Sequence, residues 1–382
     1  MSVGILVDRD TSWAERCAVT TVFFGSGLGI GAWAASVPTF KDRFALSDGA
    51  LSIALLAFAA GAVVSMPLAG LLAPRFGAAR LIRLTALLFA ATLLLPPLAW
   101  SLPSLVVAVF AMGAGQGSLD VAMNAYASGV EQRWKGPIMS SFHAAWSAGG
   151  LSGAALGAAL AGSSRAMVVA MVIATILIAG AWMAFRDGAP TLSAGPRLML
   201  PQRAALPLCV AALLCLLCEG AMVDWSAVYL RTVAEMASGQ AAVGYAAFAA
   251  TMLIGRVTGD RVVRSLGRPQ VVAMGGLLAA AGLALVIILP MPLTVTVGFA
   301  LVGIGMSNIV PILFSAAGRL WTSPSLGVAM VATTGYAGFL LGPVIIGAIA
   351  QSAGLRIGMW VLVGCAAIVA LLANAVRAEQ PS

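Results

Sequence analysis

The chain has 382 residues, 61% of them hydrophobic and only 9% charged, with a mean hydropathy of +1.02 and a net charge of +8. A water-soluble chain of this length carries about 25% charge, so the composition excludes a soluble protein. The positive balance needs no nucleic acid, because basic residues gathered on one side of a bilayer account for it.

Met1–Thr11 carries Asp8, Arg9 and Asp10 and lacks the basic start of a cleaved signal. The first apolar run, about Cys17–Pro38, is therefore expected to remain as a span. Runs of similar length recur at roughly 15–38, 48–72, 81–100, 103–128, 138–161, 165–185, 205–230, 241–260, 270–290, 292–317, 326–350 and 355–376. That predicts an all-α membrane protein with twelve transmembrane helices. With the N-terminus inside, sixteen of the 21 Lys and Arg fall on inner segments, and Lys41, Arg43, Arg165, Arg231 and Arg356 fall outside. This bias predicts two cytoplasmic termini in a cell inner membrane.

Span one ends with Trp33, and the loop after span two reads Pro74-Arg75-Phe76-Gly77 with Arg80 beyond it. In span four, Gln116, Asp120 and Asn124 fall at i, i+4 and i+8, which puts three polar side chains on one stripe. Asp120 is the one charge in Leu102–Ala127. Hydrocarbon penalises such a charge by roughly 2.5–3.5 kcal/mol on insertion scales, so it must face protein or a water-filled cavity. Span five holds His143, the only histidine, about 8 Å from its inner end at the helical rise, and Trp146 three residues on, on the same face. Asp120 and His143 are expected to face each other across spans four and five. A carboxylate beside an imidazole can pass a proton near neutral pH; the alternative is a hydrogen-bonded pair that pins two helices.

The stretch 186–204 contains Asp187, Gly188, Pro190, Gly195, Pro196 and Pro201 and reads as a cytoplasmic linker. It divides the chain into a six-helix N-terminal half, 1–185, and a six-helix C-terminal half, 205–382. Span seven carries Glu219 near its middle and Asp224 nearer its outer end, about 140° apart around a helix. Glu219 is the better candidate for proton coupling; Asp224, with Trp225 and Tyr229, reads as an outer gate or an interfacial rim. Cys215 and Cys218 form a C-x-x-C on the same span and read as packing. After span eight come Arg256, Asp260 and Arg261. In span ten Asn308 either binds cargo or bonds a neighbouring span, and Pro311 predicts a kink. Glycines at four-residue spacing, such as Gly27-Gly31, Gly153-Gly157 and Gly338-Gly342, let helices approach closely. Gly149–Gly157 and Gly338–Gly347 are candidate sliding surfaces between the halves.

The halves echo each other: Trp33 with Trp225, Pro74-Arg75-Phe76-Gly77 and Arg80 with Gly259-Asp260-Arg261, Arg264, Gly267 and Arg268, and the glycines of span five with those of span eleven. On these features the chain resembles the major facilitator superfamily. Its loop motif, roughly G-x-x-x-D-R-x-G-R-R, matches Gly70, Arg75, Gly77 and Arg80, with Pro74 in place of the acid, while Asp260-Arg261 is intact in the second half. The strings Asp120–Tyr126, Ile138–Trp146 and Glu219–Leu230 are similar to those of the YbjJ-like branch. The resemblance implies alternating access between two six-helix bundles and a gate at Arg75, Arg256, Asp260 and Arg261. It implies a cavity lined by spans one, four, five, seven and ten or eleven, with Trp33, Gln116, Asn124, Trp146, Trp225, Tyr229 and Asn308 as solute contacts. The family's antiporter pattern pairs Gly with Pro in span five; no proline occurs between Ile138 and Leu160, which tilts toward symport.

The expected function is a proton-coupled secondary transporter of a small polar or amphipathic solute, acting as a monomer through Asp120, His143, Glu219 and Asp224. No phosphate-cradling loop is present to use ATP, and one histidine without clustered metal ligands argues against an enzyme, a cofactor or a metal. A lipid flippase, a drug exporter and a non-transporting sensor of the same fold are the competing readings.

Overall fold

The computed structural model describes residues 9–46, 48–134, 136–159, 205–236, 243–320 and 324–377, with positions 172 and 182. Apart from positions 172 and 182, the sixth predicted span lies outside the described residues, as does the linker at 186–204. Among the described residues the chain is helical and contains no strand. The helices are α1 (Arg9–Arg43), α2 (Asp48–Phe76), α3 (Ala78–Leu93), α4 (Leu102–Trp134), α5 (Met139–Ala159), α6 (Leu206–Thr232), α7 (Val243–Leu266), α8 (Arg268–Ile288), α9 (Pro292–Met306), α10 (Ile309–Leu320), α11 (Pro324–Ala353), α12 (Leu355–Gly358) and α13 (Trp360–Leu371). Among them are nine stretches long and apolar enough to cross a membrane. The expected break at Pro290-Met291-Pro292 is present between α8 and α9.

The chain groups into two compact units. One comprises Met1–Ile138, Ala145–Arg197 and Ser323–Leu326; the other comprises Met139–Ala144, Leu198–Thr322 and Gly327–Ser382. The first turns of α5 thus belong with the second unit and the rest of that helix with the first.

In the first unit α4 packs on α1, α2 and α3. It is buried on every side from Gly115 to Ser128. Such close packing needs small residues. A Cβ on Gly113 would fall on the Phe58 carbonyl of α2, and one on Gly27 or Gly31 of α1 would fall on the Trp146 or Gly150 carbonyl of α5. Gly149 and Gly153 meet Phe24 and Leu28 of α1 in the same way. The second unit repeats the arrangement, with Gly338 of α11 against the Leu213 carbonyl of α6 and Gly342 against Leu217. These glycines therefore serve contacts within a unit. At Gly149, Gly153, Gly338 and Gly342 the sliding-surface reading gives way to packing, because the faces they present are already occupied within a unit.

Gly77, Gly267 and Gly354 share one conformation, with φ of 76, 85 and 89° and ψ of 155, 154 and 151°. Each N–H closes the preceding helix, on Ala73, Val263 and Ala350, and each carbonyl opens the next, toward Leu81, Val271 and Gly358. One residue ends one helix and starts another, which only a glycine does without strain. An alanine at Gly77 meets no atom within 4 Å, so only the backbone resists it. Gly77→Ala is expected to cost about 1–3 kcal/mol, read as a lower thermal midpoint in detergent. Gly364→Ala, equally open and without a positive φ, is expected to leave the midpoint unchanged.

The shared glycine also sets the register between the two loops. Pro74 lies three residues before Gly77, whereas Asp260 lies seven before Gly267. Asp260-Arg261 is therefore one helical turn deeper than Pro74-Arg75, at the level of Gly70, and Arg256 corresponds to Met66.

Span ten is kinked as expected, with its helix interrupted at Ser307–Asn308 while Ser307 keeps helical backbone angles. Helix α9 stops at Met306 and α10 starts at Ile309, one turn before Pro311. Proline has no N–H to offer the carbonyl four residues back, and its ring crowds that carbonyl, so the disruption appears at Ser307–Asn308.

Candidate functional site

In the first unit the polar stripe of α4 is fully enclosed. Gln116, Asp120 and Asn124 are 2%, 8% and 0% exposed. Gln116 Oε1 accepts a hydrogen bond from Ser26 Oγ of α1 at 2.9 Å. Asn124 Nδ2 donates to Asp120 Oδ1 at 3.2 Å and to the Asp120 carbonyl at 2.9 Å. Asp120 Oδ2 is buried with no donor among the described residues. A buried carboxylate held this way has one oxygen without a donor among the described residues, an arrangement suited to carrying a proton or receiving a donor group.

Trp33 is buried, with its ring tilted against Phe40 at 5.4 Å, and Trp146 is half-buried. Sequence reasoning missed a second polar group on α1 and α4. Glu15 accepts from Tyr126 Oη at 2.9 Å and pairs with Arg133 at 2.8 Å. Its signal was available, since Glu15 is an acid at the edge of an apolar run, but its partners lie more than a hundred residues away.

The second unit holds a buried ion pair. Glu219 of α6 lies 3.8 Å from Arg256 of α7, with side chains 14% and 5% exposed. Arg256 Nε donates to the Ser307 carbonyl at 3.2 Å, the carbonyl that Pro311 leaves without its helical donor. Asn308 Nδ2 donates to the Gly255 carbonyl and to Ser307 Oγ, both at 3.0 Å. A Cβ on Gly259 would fall on Asn308 Oδ1, so that glycine is what admits the amide. Asn308 thus bonds a neighbouring span, the second of the two readings open for it. Cys215 Sγ approaches Glu219 Oε1 at 3.9 Å and Met306 Sδ at 3.6 Å, while Cys218 Sγ turns to the Leu362 carbonyl at 3.7 Å, so the two cysteines diverge into separate contacts.

The resemblance set Arg256 with Asp260 in a gate; Arg256 reaches across helices to Glu219. Asp260 accepts the backbone N–H groups of Ser140 and Ser141 at 3.0 and 3.2 Å, satisfying donors at the start of α5. Arg75 and Arg261 are exposed. His143 is buried and its ring stacks on Phe314 of α10 at 5.8 Å. It belongs to the second unit, whereas Asp120 and its partner Asn124 belong to the first.

Asp224 is exposed while Glu219 is largely enclosed, as their angular offset on α6 requires. The ring of Trp225 lies against Gly347 of α11, and its Nε1 is buried without an acceptor among the described residues. Tyr229 is fully buried, donates to the Val286 carbonyl at 3.1 Å and meets Phe299 edge-on. That geometry places Tyr229 in the packing of α6 on α8 and α9, with its hydroxyl already used.

The Major Facilitator Superfamily profile matches residues 19–323. The chain belongs to the Major Facilitator Superfamily. It is 37% identical over 363 residues to an uncharacterized MFS-type transporter of Yersinia pestis, covering 94% of each chain. It is 34% identical over 374 residues to membrane protein MosC of Rhizobium meliloti, covering 94% of this chain and 91% of that one. In fold it is similar to the superfamily transporter FucP in its outward conformation, with a TM-score of 0.80 at 16% identity over 95% of this chain and 98% of that one. The human organic anion transporter MFSD10 gives 0.76 at 16% identity, over 94% and 99%. The protein is thus a multi-pass membrane transporter of the superfamily fold, not an enzyme.

Proposed function

We propose that the chain is a proton-coupled secondary transporter that moves a small polar or amphipathic solute by alternating access of two six-helix halves, 1–185 and 205–382, joined by the 186–204 linker. The observation that carries this reading is Asp120, a carboxyl enclosed on α4 with one oxygen lacking any donor among the described residues. A chain retains such a group in a membrane when its protonation or its ligand matters. Glu219, with its partner Arg256, is the second ionisable element, and His143 and Asp224 assist. Solute contacts are assigned to Trp33, Gln116, Asn124, Trp146 and Trp225, and Asn308 shapes the kinked span. Asp260, through the first turn of α5, is the gate, with Arg75 and Arg261 at the loop ends. Both termini are assigned to the cytoplasm of an inner membrane by the arginine bias, and the acting unit is a monomer. We also place the chain with the YbjJ-like branch, on the three strings that resemble it. Among fold neighbours, one is described as a fucose:proton symporter, which is in keeping with proton coupling on this architecture.

The test is a proteoliposome screen under an imposed pH gradient, with an internal pH dye as the readout. One class of solute is expected to collapse the gradient. Lipid transfer without solute-linked proton flux would replace this reading with a flippase.

A further inference from the structure

One face of α7 is uncovered along its whole length. Val243, Ala250, Ile254, Val257, Arg261 and Arg264 are all exposed, Ile254 and Val257 at 56% and 60%. At 100° per residue the six fall within an arc of about 80°, so they form one straight stripe. The rest of the helix packs on α6, α8 and α9. The stripe is apolar at its first four positions and basic at its last two. Arg261 and Arg264 lie about 27 and 32 Å from Val243 at the helical rise, the depth at which a hydrocarbon layer about 30 Å thick meets the headgroups.

Both arginines are available. Among the described residues neither makes a hydrogen bond or an ion pair. The neighbouring acid, Asp260, is turned to the backbone N–H groups of Ser140 and Ser141. Crossing the membrane does not by itself require this pair. Arg261 and Arg264 stand six and three residues before Gly267, and the first unit has Leu71 and Pro74 at the same distances before Gly77.

We infer that α7 carries a binding site for one anionic phospholipid, with its phosphate between Arg261 and Arg264 and its acyl chains along Val257, Ile254 and Ala250. Residues three apart on a helix are neighbours, about 5–6 Å between Cβ atoms, so both side chains reach one phosphate. The guanidinium fork matches a phosphate in geometry and binds it through paired hydrogen bonds. Charge selects the headgroup, and the apolar stripe selects a molecule with chains over a free phosphate. The arginine bias assigns this end of α7 to the cytoplasmic leaflet, whose surface carries anionic lipid. The site is independent of the transport reading above, since it lies on the outer face of the second unit and uses none of the buried groups.

The test uses the purified full chain in a neutral detergent, titrated with phosphatidylglycerol or with phosphatidylcholine of the same acyl chains. Bound lipid is counted by native mass spectrometry. Wild type is expected to hold one phosphatidylglycerol with an apparent affinity at least about tenfold above that for phosphatidylcholine. Arg261→Gln/Arg264→Gln should bring the two lipids level, and Arg75→Gln/Arg80→Gln in the first unit should keep the preference. Val257→Glu covers the case in which the first double variant does not fold. It puts a carboxylate four residues before Arg261, the spacing at which the two pair on a helix, so it should compete with the phosphate and weaken phosphatidylglycerol alone. Phosphatidylglycerol should also raise the thermal midpoint of wild type where the same concentration of inorganic phosphate does not. Equal affinity of wild type for the two lipids overturns the inference. So does a preference that survives in Arg261→Gln/Arg264→Gln or Val257→Glu, or one that disappears with Arg75 and Arg80. A midpoint raised as much by inorganic phosphate removes the lipid from the site.

Discussion

An Asp120→Asn chain is expected to fold, to reach the membrane in normal amount, and to lose gradient-driven uptake by at least about tenfold. The amide has nearly the same shape, and Asn124 Nδ2 can still donate to the oxygen that stands at Oδ1. The Gln116–Ser26 bond is untouched. What the substitution removes is the capacity to gain and lose a proton at a place where Oδ2 has no donor of its own among the described residues. The measurement pairs two assays on the solute found in the screen: uphill uptake under a pH gradient and exchange at equilibrium. Uptake should fall while exchange persists, because exchange needs binding and conformational change but no net proton transfer. Full uphill uptake by Asp120→Asn would take the proton role away from this residue. Loss of both activities would make it a solute contact instead.

The second large effect is on stability. Arg256→Met leaves Glu219 beside apolar walls without the cation across from it, and deprives the Ser307 carbonyl of its Arg256 donor. Breaking one side of a buried pair costs about 3–5 kcal/mol. Glu219 keeps 14% of its side chain exposed, so the lower end, about 3 kcal/mol, is expected. Glu219→Gln/Arg256→Met removes both charges together and should recover the part of that loss due to the unpaired carboxylate, leaving the unsatisfied Ser307 carbonyl, about 1 kcal/mol at the low end of such costs. Thermal unfolding of wild type, both single variants and the double variant closes the cycle. A double variant whose loss equals the sum of the two single losses would show that the two side chains are not coupled.

Several features of the site were legible along the chain. The stripe of Gln116, Asp120 and Asn124 follows from helical spacing, and its enclosure follows from the cost of a charge in hydrocarbon. The offset between Glu219 and Asp224 is likewise a property of one helix. The break at Ser307–Asn308 was foreshadowed by Pro311, although it lies one turn earlier, because proline acts on the carbonyl four residues before it. The Gly77 and Gly267 loops were recognised as related, but their register was not. Only the backbone angles showed which glycines correspond, and hence that Asp260 sits a turn deeper than Pro74.

The partners of these groups were not legible. The resemblance set Arg256 and Asp260 in one gate, and the structure joins Arg256 to Glu219 of α6 and Asp260 to the first turn of α5. Tyr229 looked like a rim residue and proves to be bonded to Val286 in the interior. The glycine runs were recognised as close-contact surfaces, but not which helix each would touch.

Membrane spans, polar stripes and helix breaks are set by hydropathy, the 3.6-residue period and the missing N–H of proline, all of which act within one segment, so the amino-acid order alone decides them. Pairing between segments depends on which helices lie side by side and at what height. Here that depends on where a missing Cβ lets a neighbouring helix come close, as Gly27 admits the Trp146 carbonyl and Gly259 the Asn308 side chain. Such contacts join residues remote in the chain, and no local pattern encodes them; the tertiary structure alone selects Glu219 for Arg256.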